Sequence, residues 1–366
     1  MRVLLVEPVA HKFPPLPLLK IGAWHLKQGD DVKLVVSRVL VAGDFDRVYV
    51  TSLFTWEWRE VCSCVRYYKA LLGCEVWLGG IYATIHYEHA RVHSRADHVH
   101  KGLMDWVEDE VPAYSLLKGT PWDGWNASLV HASRGCTSKC SYCIVPRMEG
   151  AMKGRETIKD FVMRGHEWII IMDNDFLRNP NAEKIFRELR YFSRKGYCID
   201  FNQGLRASDI DLETARKLSK LRVRLFGGGH RGIRIAYDFL SQTDDVERAI
   251  RNLEKAGIKP REVHVYNMYN FKESPDEFFK RVKRTLLLGA NAYPMRYQPI
   301  TGEESLEKNK FVDERAGWTH EKLRWVEEGR ARFGKGGFFP PYPALVQRMK
   351  ESKSFEEMFK PWVPKK

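Results

Sequence analysis

Short aliphatic runs alternate along the chain with segments of helical periodicity, and this alternation limits the folds that the chain can adopt. The amino-terminal run MRVLLVEP predicts a strand, and apolar residues recurring every three to four positions predict a helix over 16–28. Further strands are predicted at 31–36, 47–54 and 74–80, and a further helix at 57–72. Helices between strands imply right-handed crossovers and a parallel sheet. Residues 1–120 are therefore predicted to form a Rossmann-like domain, in which no GxGxxG loop supports a dinucleotide site.

A second alternating series follows 118–127, whose Gly, Pro and Asp residues are typical of a connection between domains. Its strands are predicted at 128–133, 168–173, 198–204, 233–238, 262–270 and 291–300. Six β/α repeats over 126–300 predict a partial (β/α)6 barrel of the TIM type. Residues 301–366 are predicted to form a C-terminal helical extension. Its aromatic residues are expected mainly in a core: Trp318, Trp325, Phe338, Phe339, Tyr342 and Trp362.

Polar residues end five successive strands of the predicted barrel. They are Asp173, Asn174 and Asp175, then Asn202 and Gln203, then Asp238, then Asn267 and Asn270, and finally Arg296 and Gln298. In such barrels the chemistry lies at the C-terminal ends of the strands. One such residue alone is typical of a loop or a cap, but the recurrence predicts a site at this end.

The bulk composition is that of a globular protein with 44% hydrophobic and 29% charged residues. The amino-terminal apolar run is too short for a signal peptide, and no stretch approaches the roughly 18 apolar residues that span a bilayer. We therefore expect a cytoplasmic protein. Seven cysteines at irregular spacing argue against a disulfide framework. The net charge of +13 favours an acidic partner, nucleic acid first, although the sequence has no long basic run.

Cys136, Cys140 and Cys143 fall within eight residues, in a C-x3-C-x2-C loop directly after the first predicted barrel strand. Thiolates are the ligands of iron–sulfur clusters, and three local ligands leave one iron open. Structural zinc is the alternative, but it needs four ligands and usually two C-x2-C-like pairs. No second pair accompanies the loop, and His131, the nearest other ligand, lies in the predicted strand. The spacing favours an iron–sulfur cluster.

This motif, with Tyr142 just before the last cysteine and a six-unit barrel after it, resembles the radical SAM superfamily. The segments PPLPLLKIGAWHLKQGDDVKLV, LGGIYATI and ADHVHKG resemble the cobalamin-binding-like Rossmann domain found before many radical SAM barrels. The resemblance implies that the three cysteines bind a [4Fe–4S] cluster whose open iron is chelated by S-adenosylmethionine. One electron, from a donor such as flavodoxin or ferredoxin, would then cleave the sulfonium to methionine and a 5′-deoxyadenosyl radical that abstracts hydrogen from a substrate.

The resemblance also implies roles for other residues. Tyr142 would lie near the adenine, and Asp173, Asn174 and Asp175 occupy the place of a Gly-Gly-Glu segment that contacts the methionine amine, a departure from the family pattern. The remaining cofactor-binding candidates are Asn202 and Gln203, Asp238 near the ribose, Tyr266 and Asn267 near the adenine, and Arg296 on the methionine carboxylate. For Asn202, Asp238 and Arg296 a structural role is equally expected.

The amino-terminal domain departs from cobalamin enzymes that carry D-x-H-x-x-G. After its first strand this chain has Glu7-Pro8-Val9-Ala10-His11, without the Asp or the Gly. This favours a domain that has lost cobalamin and now shapes a substrate pocket or docks a partner. Three functions therefore stay open: a radical SAM enzyme, a cobalamin-dependent radical SAM methyltransferase, and a nucleic-acid-binding or modifying protein with a structural cluster.

Overall fold

The computed structural model of the chain describes residues 1–361. Contacts divide the chain into two compact units. The first contains 1–129, 138–151 and 298–310, and the second contains 130–137, 152–297 and the chain from 311 onward. The domain boundaries drawn from the sequence at 120, 126 and 300 stay predictions.

The first unit is built on a five-stranded parallel sheet in the order β2-β1-β3-β4-β5. Its strands are β1 (Arg2–Glu7), β2 (Asp31–Val36), β3 (Arg47–Val50), β4 (Glu75–Leu78) and β5 (His98–Val99). Its helices are α1 (Leu16–Lys27), α2 (Trp58–Leu72), α3 (Ile81–Ile85), α4 (Tyr87–Ser94) and α5 (Val145–Met148). Two hydrophobic cores, one around Val3 and Leu5 and one around Leu4 and Val6, cover the two faces, because successive strand residues point to opposite sides.

Two segments of the first unit differ from their predicted form. The strand predicted at 47–54 ends at Val50, and a single 3₁₀ turn, Thr55–Glu57, leads into α2. The predicted connection 118–127 packs into a core of this unit through Trp122, whose indole N–H donates to the carbonyl of His11 at 2.9 Å. A Gly- and Pro-rich segment can thus carry a core residue.

The strands of the second unit follow the order of the chain. In sheet β10-β9-β6 the strands β9 and β10 are parallel, and sheet β11-β12-β13 is parallel throughout. Single parallel bridges at Ile199–Val223 and Leu205–Ile235 extend the strand series between the two sheets. The strands are β6 (Ala127–Val130, which runs across the unit boundary), β7 (Ser133–Arg134), β8 (Lys153–Gly154), β9 (Trp168–Ile171), β10 (Cys198–Phe201), β11 (Ile233–Ala236), β12 (Val263–Tyr269) and β13 (Asn291–Arg296).

Helices connect the barrel strands and cover their outer side. They are α6 (Ala182–Arg194), α7 (Leu212–Ser219), α8 (Thr243–Lys255) and α9 (Pro275–Leu287). Ile169, Ile199 and Val265 share one core with α6 and α8. The alternate strand positions, such as Asp200 and Arg234, therefore face the inside of the barrel.

The carboxyl-terminal helices α10 (His320–Phe333), α11 (Pro343–Glu351) and α12 (Phe355–Phe359) pack around α9 and β13. Trp318, Trp325 and Phe339 are buried in this core, as predicted, whereas Tyr342 is 50% exposed. Trp362 lies outside the described residues. The predicted fold class is confirmed: a Rossmann-like parallel sheet, a partial (β/α)6 barrel and a helical extension. No helix among residues 1–361 is long and apolar enough to cross a membrane.

Candidate functional site

The cysteine loop is closed at its base by a short ladder. Ser133 pairs with Gly154 and Arg134 with Lys153 in the antiparallel β7–β8 pair. Gly154 lies against Asn179, and a Cβ built on it would stand 2.3 Å from the Asn179 Oδ1. The Asn179 amide in turn donates to the carbonyl of Ala132 at 2.9 Å. Only a glycine fits this base, so both ends of the loop are fixed against the end of β6.

The three cysteine side chains are half-buried, and none of them forms a disulfide. Gly135, directly before Cys136, adopts the left-handed conformation with φ 77°, which favours glycine and turns the chain out of β7. The N–H of Cys143 donates to the carbonyl of Cys140 at 3.1 Å and closes a turn between those two thiols. Cys136 belongs to the second unit, and the segment that holds Cys140, Tyr142 and Cys143 belongs to the first. Tyr142 is half-buried there.

Asp173 ties the end of β9 to the end of β6. Its Oδ1 accepts from the N–H of Ala132 at 2.7 Å and its Oδ2 from the hydroxyl of Ser133 at 2.5 Å. Burial raises the pKa of Asp173 to about 7, against the opposing effect of these hydrogen bonds. The predicted strand 128–133 breaks at this place because the Ala132 N–H bonds to a side chain. Asp173 therefore supports the start of the cysteine loop.

Asp175 lies beside the first cysteine. Its Oδ2 accepts from the Thr137 hydroxyl at 2.6 Å and lies 3.5 Å from the Sγ of Cys136. Arg206, in the loop after β10, donates Nη2 to Oδ2 at 2.7 Å and Nε to Oδ1 at 3.3 Å. Burial raises the pKa of Asp175, but the hydrogen bonds from Thr137 and Arg206 and the Arg206 charge outweigh it, so this pKa lies below its usual value. Asp175 is thus a buried, ionised carboxylate.

Asn174, Asn202 and Gln203 follow β9 and β10 as predicted. Asn174 and Asn202 are half-buried and Gln203 is exposed. The Asn202 N–H donates to the carbonyl of Ile171 at 3.0 Å and continues the strand pairing for one residue. These residues therefore lie at the same end of the barrel as Asp173 and Asp175.

Two predicted adenine contacts, Tyr266 and Asn267, are neighbours on β12 and so face opposite sides of it. Tyr266 is half-buried and its ring centroid lies 5.3 Å from that of Tyr293 on β13. Asn267 is fully buried, and neither polar atom of its amide has a partner within the described chain. One adenine ring on one face of the sheet cannot contact both side chains.

The last two candidates take part in contacts with helices and loops of the second unit. The backbone N–H of Asp238 donates to the Oε1 of Gln242 at 2.7 Å. The Arg296 guanidinium donates to Glu327 on α10 at 3.0 Å and to the carbonyl of Phe311 at 3.3 Å. Asp238 and Arg296 therefore help to hold the loops that follow β11 and β13, and their cofactor roles stay predictions.

The inside of the barrel holds an ion pair that the sequence analysis did not single out. Arg234 on β11 donates to the Oδ1 of Asp200 on β10, and the Asp200 Oδ2 accepts from the N–H of Phe226 at 2.8 Å. Both side chains are buried. His264 on β12 is 4% exposed with no partner for either ring nitrogen within 1–361, and burial lowers its pKa to about 3. The barrel lumen is polar where an apolar filling is usual.

In the first unit, polar side chains gather at the carboxyl ends of β1 and β3. Glu7 is 4% exposed, and burial together with the nearby Glu57 charge raises its pKa to about 8. The His11 Nε2 lies 3.2 Å from the Glu57 Oε2 without the alignment of a hydrogen bond. In ADHVHKG, Asp97 accepts from the N–H of Val76 and from Lys69, and His98 contacts Glu75. His11 thus lies at the edge where parallel sheets bind ligands.

The fold is shared with TsrM. This radical S-adenosylmethionine methyltransferase from Kitasatospora setae, solved with tryptophan substrate and a SAM analog, is 15% identical, with 81% of this chain and 73% of that chain covered and a TM-score of 0.57. A TsrM structure with cobalamin and a [4Fe–4S] cluster is 14% identical, with 98% and 84% covered and a TM-score of 0.57. No protein-family model and no curated protein matches the chain.

The three cysteine sulfurs of the loop are the type of ligand that an iron–sulfur cluster requires. Within 1–361 no three or more His, Cys, Asp or Glu side chains gather around a point where one metal ion would bind. A [4Fe–4S] cluster takes one thiolate on each of several irons, so its ligands do not need to converge on one ion. All three thiols are half-buried and outside any disulfide, which agrees with such ligation.

Arg206 and Thr137 were missed by the sequence analysis. Arg206 follows Gln203 by three residues and looks like an ordinary loop arginine, and Thr137 lies inside the cysteine motif at an unconstrained position. Their common partner, Asp175, is the only signal, because a buried carboxylate requires donors. The buried Asp200–Arg234 pair had a signal of its own: a charged residue inside an aliphatic strand, in CIDF and again in IRIA.

Proposed function

We propose that this protein is a radical SAM enzyme. The observation that carries the proposal is the position of Cys136, Cys140 and Cys143 directly after the first strand of a barrel whose fold is shared with TsrM over 98% of this chain. The three thiolates would hold a [4Fe–4S] cluster, which when bound supplies the single electron that cleaves S-adenosylmethionine. We further propose that the resulting radical abstracts a hydrogen atom from a substrate. The electron would come from a donor protein such as flavodoxin or ferredoxin.

Between the two carboxylates after β9, the geometry favours Asp175 for the ammonium of S-adenosylmethionine. Both oxygens of Asp173 already accept from the chain at the base of the cysteine loop, and its pKa of about 7 leaves it partly protonated. Asp175 is ionised and lies beside Cys136. A carboxylate oxygen accepts several hydrogen bonds, so Asp175 can keep Arg206 and Thr137 and still accept from an ammonium.

The Arg206 guanidinium would also compensate negative charge beside the first cluster ligand. Deprotonation of Cys136 for iron binding would place a thiolate 3.5 Å from the Asp175 carboxylate. Two adjacent negative charges raise the free energy of both unless a cation lies close. Arg206, 2.7 Å from the same carboxylate oxygen, supplies that cation. It is a positioning residue, which holds Asp175 ionised next to the cluster ligand.

The experiment is anaerobic reconstitution with iron and sulfide, followed by dithionite and S-adenosylmethionine. We expect the broad visible absorbance of an iron–sulfur cluster and the formation of 5′-deoxyadenosine. Cys140→Ala should lose both, while Cys74→Ala, a half-buried cysteine of the first unit, should keep both. An intact cluster with no cleavage products contradicts the proposal and leaves a structural cluster, as in the nucleic-acid-binding alternative. Cleavage that persists in Cys140→Ala contradicts the ligand assignment.

A cobalamin-dependent methyltransferase is the second candidate. His11 lies at the carboxyl edge of β1 with one ring nitrogen near Glu57, and a carboxylate beside one nitrogen leaves the other basic enough to ligate a metal. The TsrM structure with cobalamin bound adds support. We expect hydroxocobalamin to co-elute with the protein and His11→Ala to change the absorption of the bound form. Cobalamin that does not co-elute at micromolar protein contradicts this candidate without affecting the first.

A further inference from the structure

The excess positive charge of the chain is confined to one of its two compact units. The net charge of the sequence is +13, yet acidic and basic residues nearly balance within 1–129, 138–151 and 298–310. The second unit therefore carries the excess. A charge of this size on one unit attracts polyanions over distances of about a Debye length, roughly 8 Å at physiological salt.

Seven basic residues of this unit lie in, or at the helix end of, connections that run from a helix to the next strand. In a parallel β/α barrel all such connections lie at the amino-terminal ends of the strands, opposite the end that bears the cysteine loop. We call this end the basic face. It is formed by Lys195 before β10, Lys220 and Arg222 before the Val223 bridge, Arg231 before β11, and Lys255, Lys259 and Arg261 before β12.

Hydrogen bonds between these connections show that they form one continuous surface. Arg222 donates to the carbonyl of Gly196 in the preceding connection at 2.7 Å. Arg231 donates to the carbonyl of Gly257 in the following connection at 3.0 Å and to that of Ser219 at 3.5 Å. Residues distant in sequence are thus held side by side.

Helix dipoles explain only part of this charge. Cations in the last turn of a helix stabilise it, which accounts for Lys255 at the end of α8. Lys220 directly follows the last residue of α7, where a cation is also favourable, whereas Arg222, Lys259 and Arg261 lie outside α7 and α8, the last two at a single 3₁₀ turn, Pro260–Glu262. The acidic residues on the same connections are Glu167, Glu254 and Glu262, and of these Glu262 lies 3.7 Å from Arg231. The basic face keeps a clear positive excess.

An aromatic side chain stands at the edge of this face. Tyr191, in the last turn of α6, is 53% exposed, and the Lys195 ammonium lies 5.8 Å from its ring centroid. Exposed aromatic rings next to cations are the platforms on which proteins stack unpaired bases. The connections are short loops, which offer no helix or ribbon to enter the major groove of duplex DNA. The chemistry therefore fits a single strand.

We propose that the basic face binds single-stranded RNA, with the lysines and arginines on phosphates and Tyr191 on a base. The bases of RNA loops and ends are accessible for such stacking. The surface is independent of the proposed SAM chemistry, because none of its residues contributes to the cysteine loop or to the Asp175 cluster.

The test is fluorescence anisotropy of the full chain with a labelled 20-nucleotide single-stranded RNA over a series of salt concentrations. The variant Lys220→Glu/Lys259→Glu/Arg261→Glu removes exposed cations whose side chains make no ion pair or hydrogen bond within residues 1–361. We expect at least about tenfold weaker binding, and a salt slope smaller by about 2, since each phosphate contact on a single strand contributes about 0.7. Tyr191→Ala should weaken binding by about tenfold while Tyr191→Phe keeps it, as stacking requires.

The matched control is Lys184→Glu/Lys280→Glu/Lys353→Glu, which makes the same charge change at exposed positions of the same unit away from the basic face. It should retain most of the affinity. Equal losses in both triple variants would show a non-local charge effect and overturn the proposed surface. Tighter binding of single-stranded DNA or duplex DNA than of RNA would overturn the assignment of the partner. Circular dichroism of each variant shows whether a loss of binding reflects a loss of folding.

Discussion

The guanidinium of Arg206 holds the carboxylate of Asp175 through two hydrogen bonds, of 2.7 Å from Nη2 and 3.3 Å from Nε. Asp175 has a side chain that is 2% exposed, whereas that of Arg206 is 30% exposed. The pair therefore joins a buried anion next to Cys136 to a cation at the rim. The charge of the Asp175 carboxylate, which follows β9, is therefore stabilised by a residue that follows β10.

Replacing Arg206 with Gln is expected to destabilise the protein by about 2 kcal/mol, because a buried carboxylate would lose its charged partner. The same change should raise the pKa of Asp175 and weaken S-adenosylmethionine binding in the reconstituted protein. Urea unfolding and equilibrium dialysis measure the two effects. Arg178→Gln is the control, since Arg178 makes an equally well aligned pair with Asp209 but is 44% exposed, and it should cost less than about 1 kcal/mol. Equal costs in the two variants would contradict a special role for Arg206.

The polar strand ends were predictable from sequence, because a parallel sheet places every carboxyl end at one edge. Asp173 and Asp175 were found in this way, and the cysteine spacing marked the loop beside them. The sequence did not reveal which carboxylate is tied to the chain and which is ionised. That difference depends on Ser133 and Arg206, which are brought to the two aspartates by folding.

The strand prediction failed where side chains compete with the backbone ladder. The segment 128–133 has continuous strand character, yet its pairing ends at Val130 because the Ala132 N–H bonds to Asp173. The basic face was also hidden, because its cations are spread over more than sixty positions in short groups. These cations come together only in the folded barrel, where each helix-to-strand connection returns to the same end.

Glu7 predicts a pH dependence of stability in the first unit. Burial and the Glu57 charge raise its pKa from an ordinary 4.5 to about 8, so the folded chain holds a proton that the unfolded chain releases. Stability from this group is therefore complete below pH 4.5 and is lost as the pH rises toward 8, by at most about 5 kcal/mol. Glu7→Gln, neutral throughout, should flatten the decline in unfolding free energy between pH 5 and 9. Glu88→Gln, on the exposed side of α4, should leave the decline unchanged; an unaltered slope in Glu7→Gln would contradict the assignment.

Arg281 on α9 is predicted to be a major support of the barrel. Its guanidinium donates to the carbonyls of Tyr237 and Met268, each at 2.5 Å, and to Glu273 at 2.9 Å, with 1% of the residue exposed. Arg281→Met would leave the carbonyls of Tyr237 and Met268 without this donor and would remove the cation beside Glu273, which keeps the Leu240 N–H as a donor, at a cost of about 3 kcal/mol. Arg284→Met, one turn later on α9 in an exposed pair with Glu247, should cost less than about 1 kcal/mol. Denaturant midpoints compare the two, and a similar shift in both would exclude the proposed support.

Asn267 allows stability and function to be separated by one substitution. Its amide is fully buried with neither polar atom partnered, so the folded protein carries the desolvation cost of both groups. Asn267→Leu, which keeps the same branched arrangement of side-chain heavy atoms, is expected to raise the free energy of unfolding by about 1 kcal/mol. If the amide contacts adenine, as the resemblance implies, the same variant should bind S-adenosylmethionine more weakly despite its greater stability. Tyr266→Phe, on the opposite side of the strand, should then leave binding unchanged, because one adenine ring cannot contact both side chains. An Asn267→Leu variant that is less stable would show that the amide is satisfied by ordered water, since water-mediated bonds are then lost.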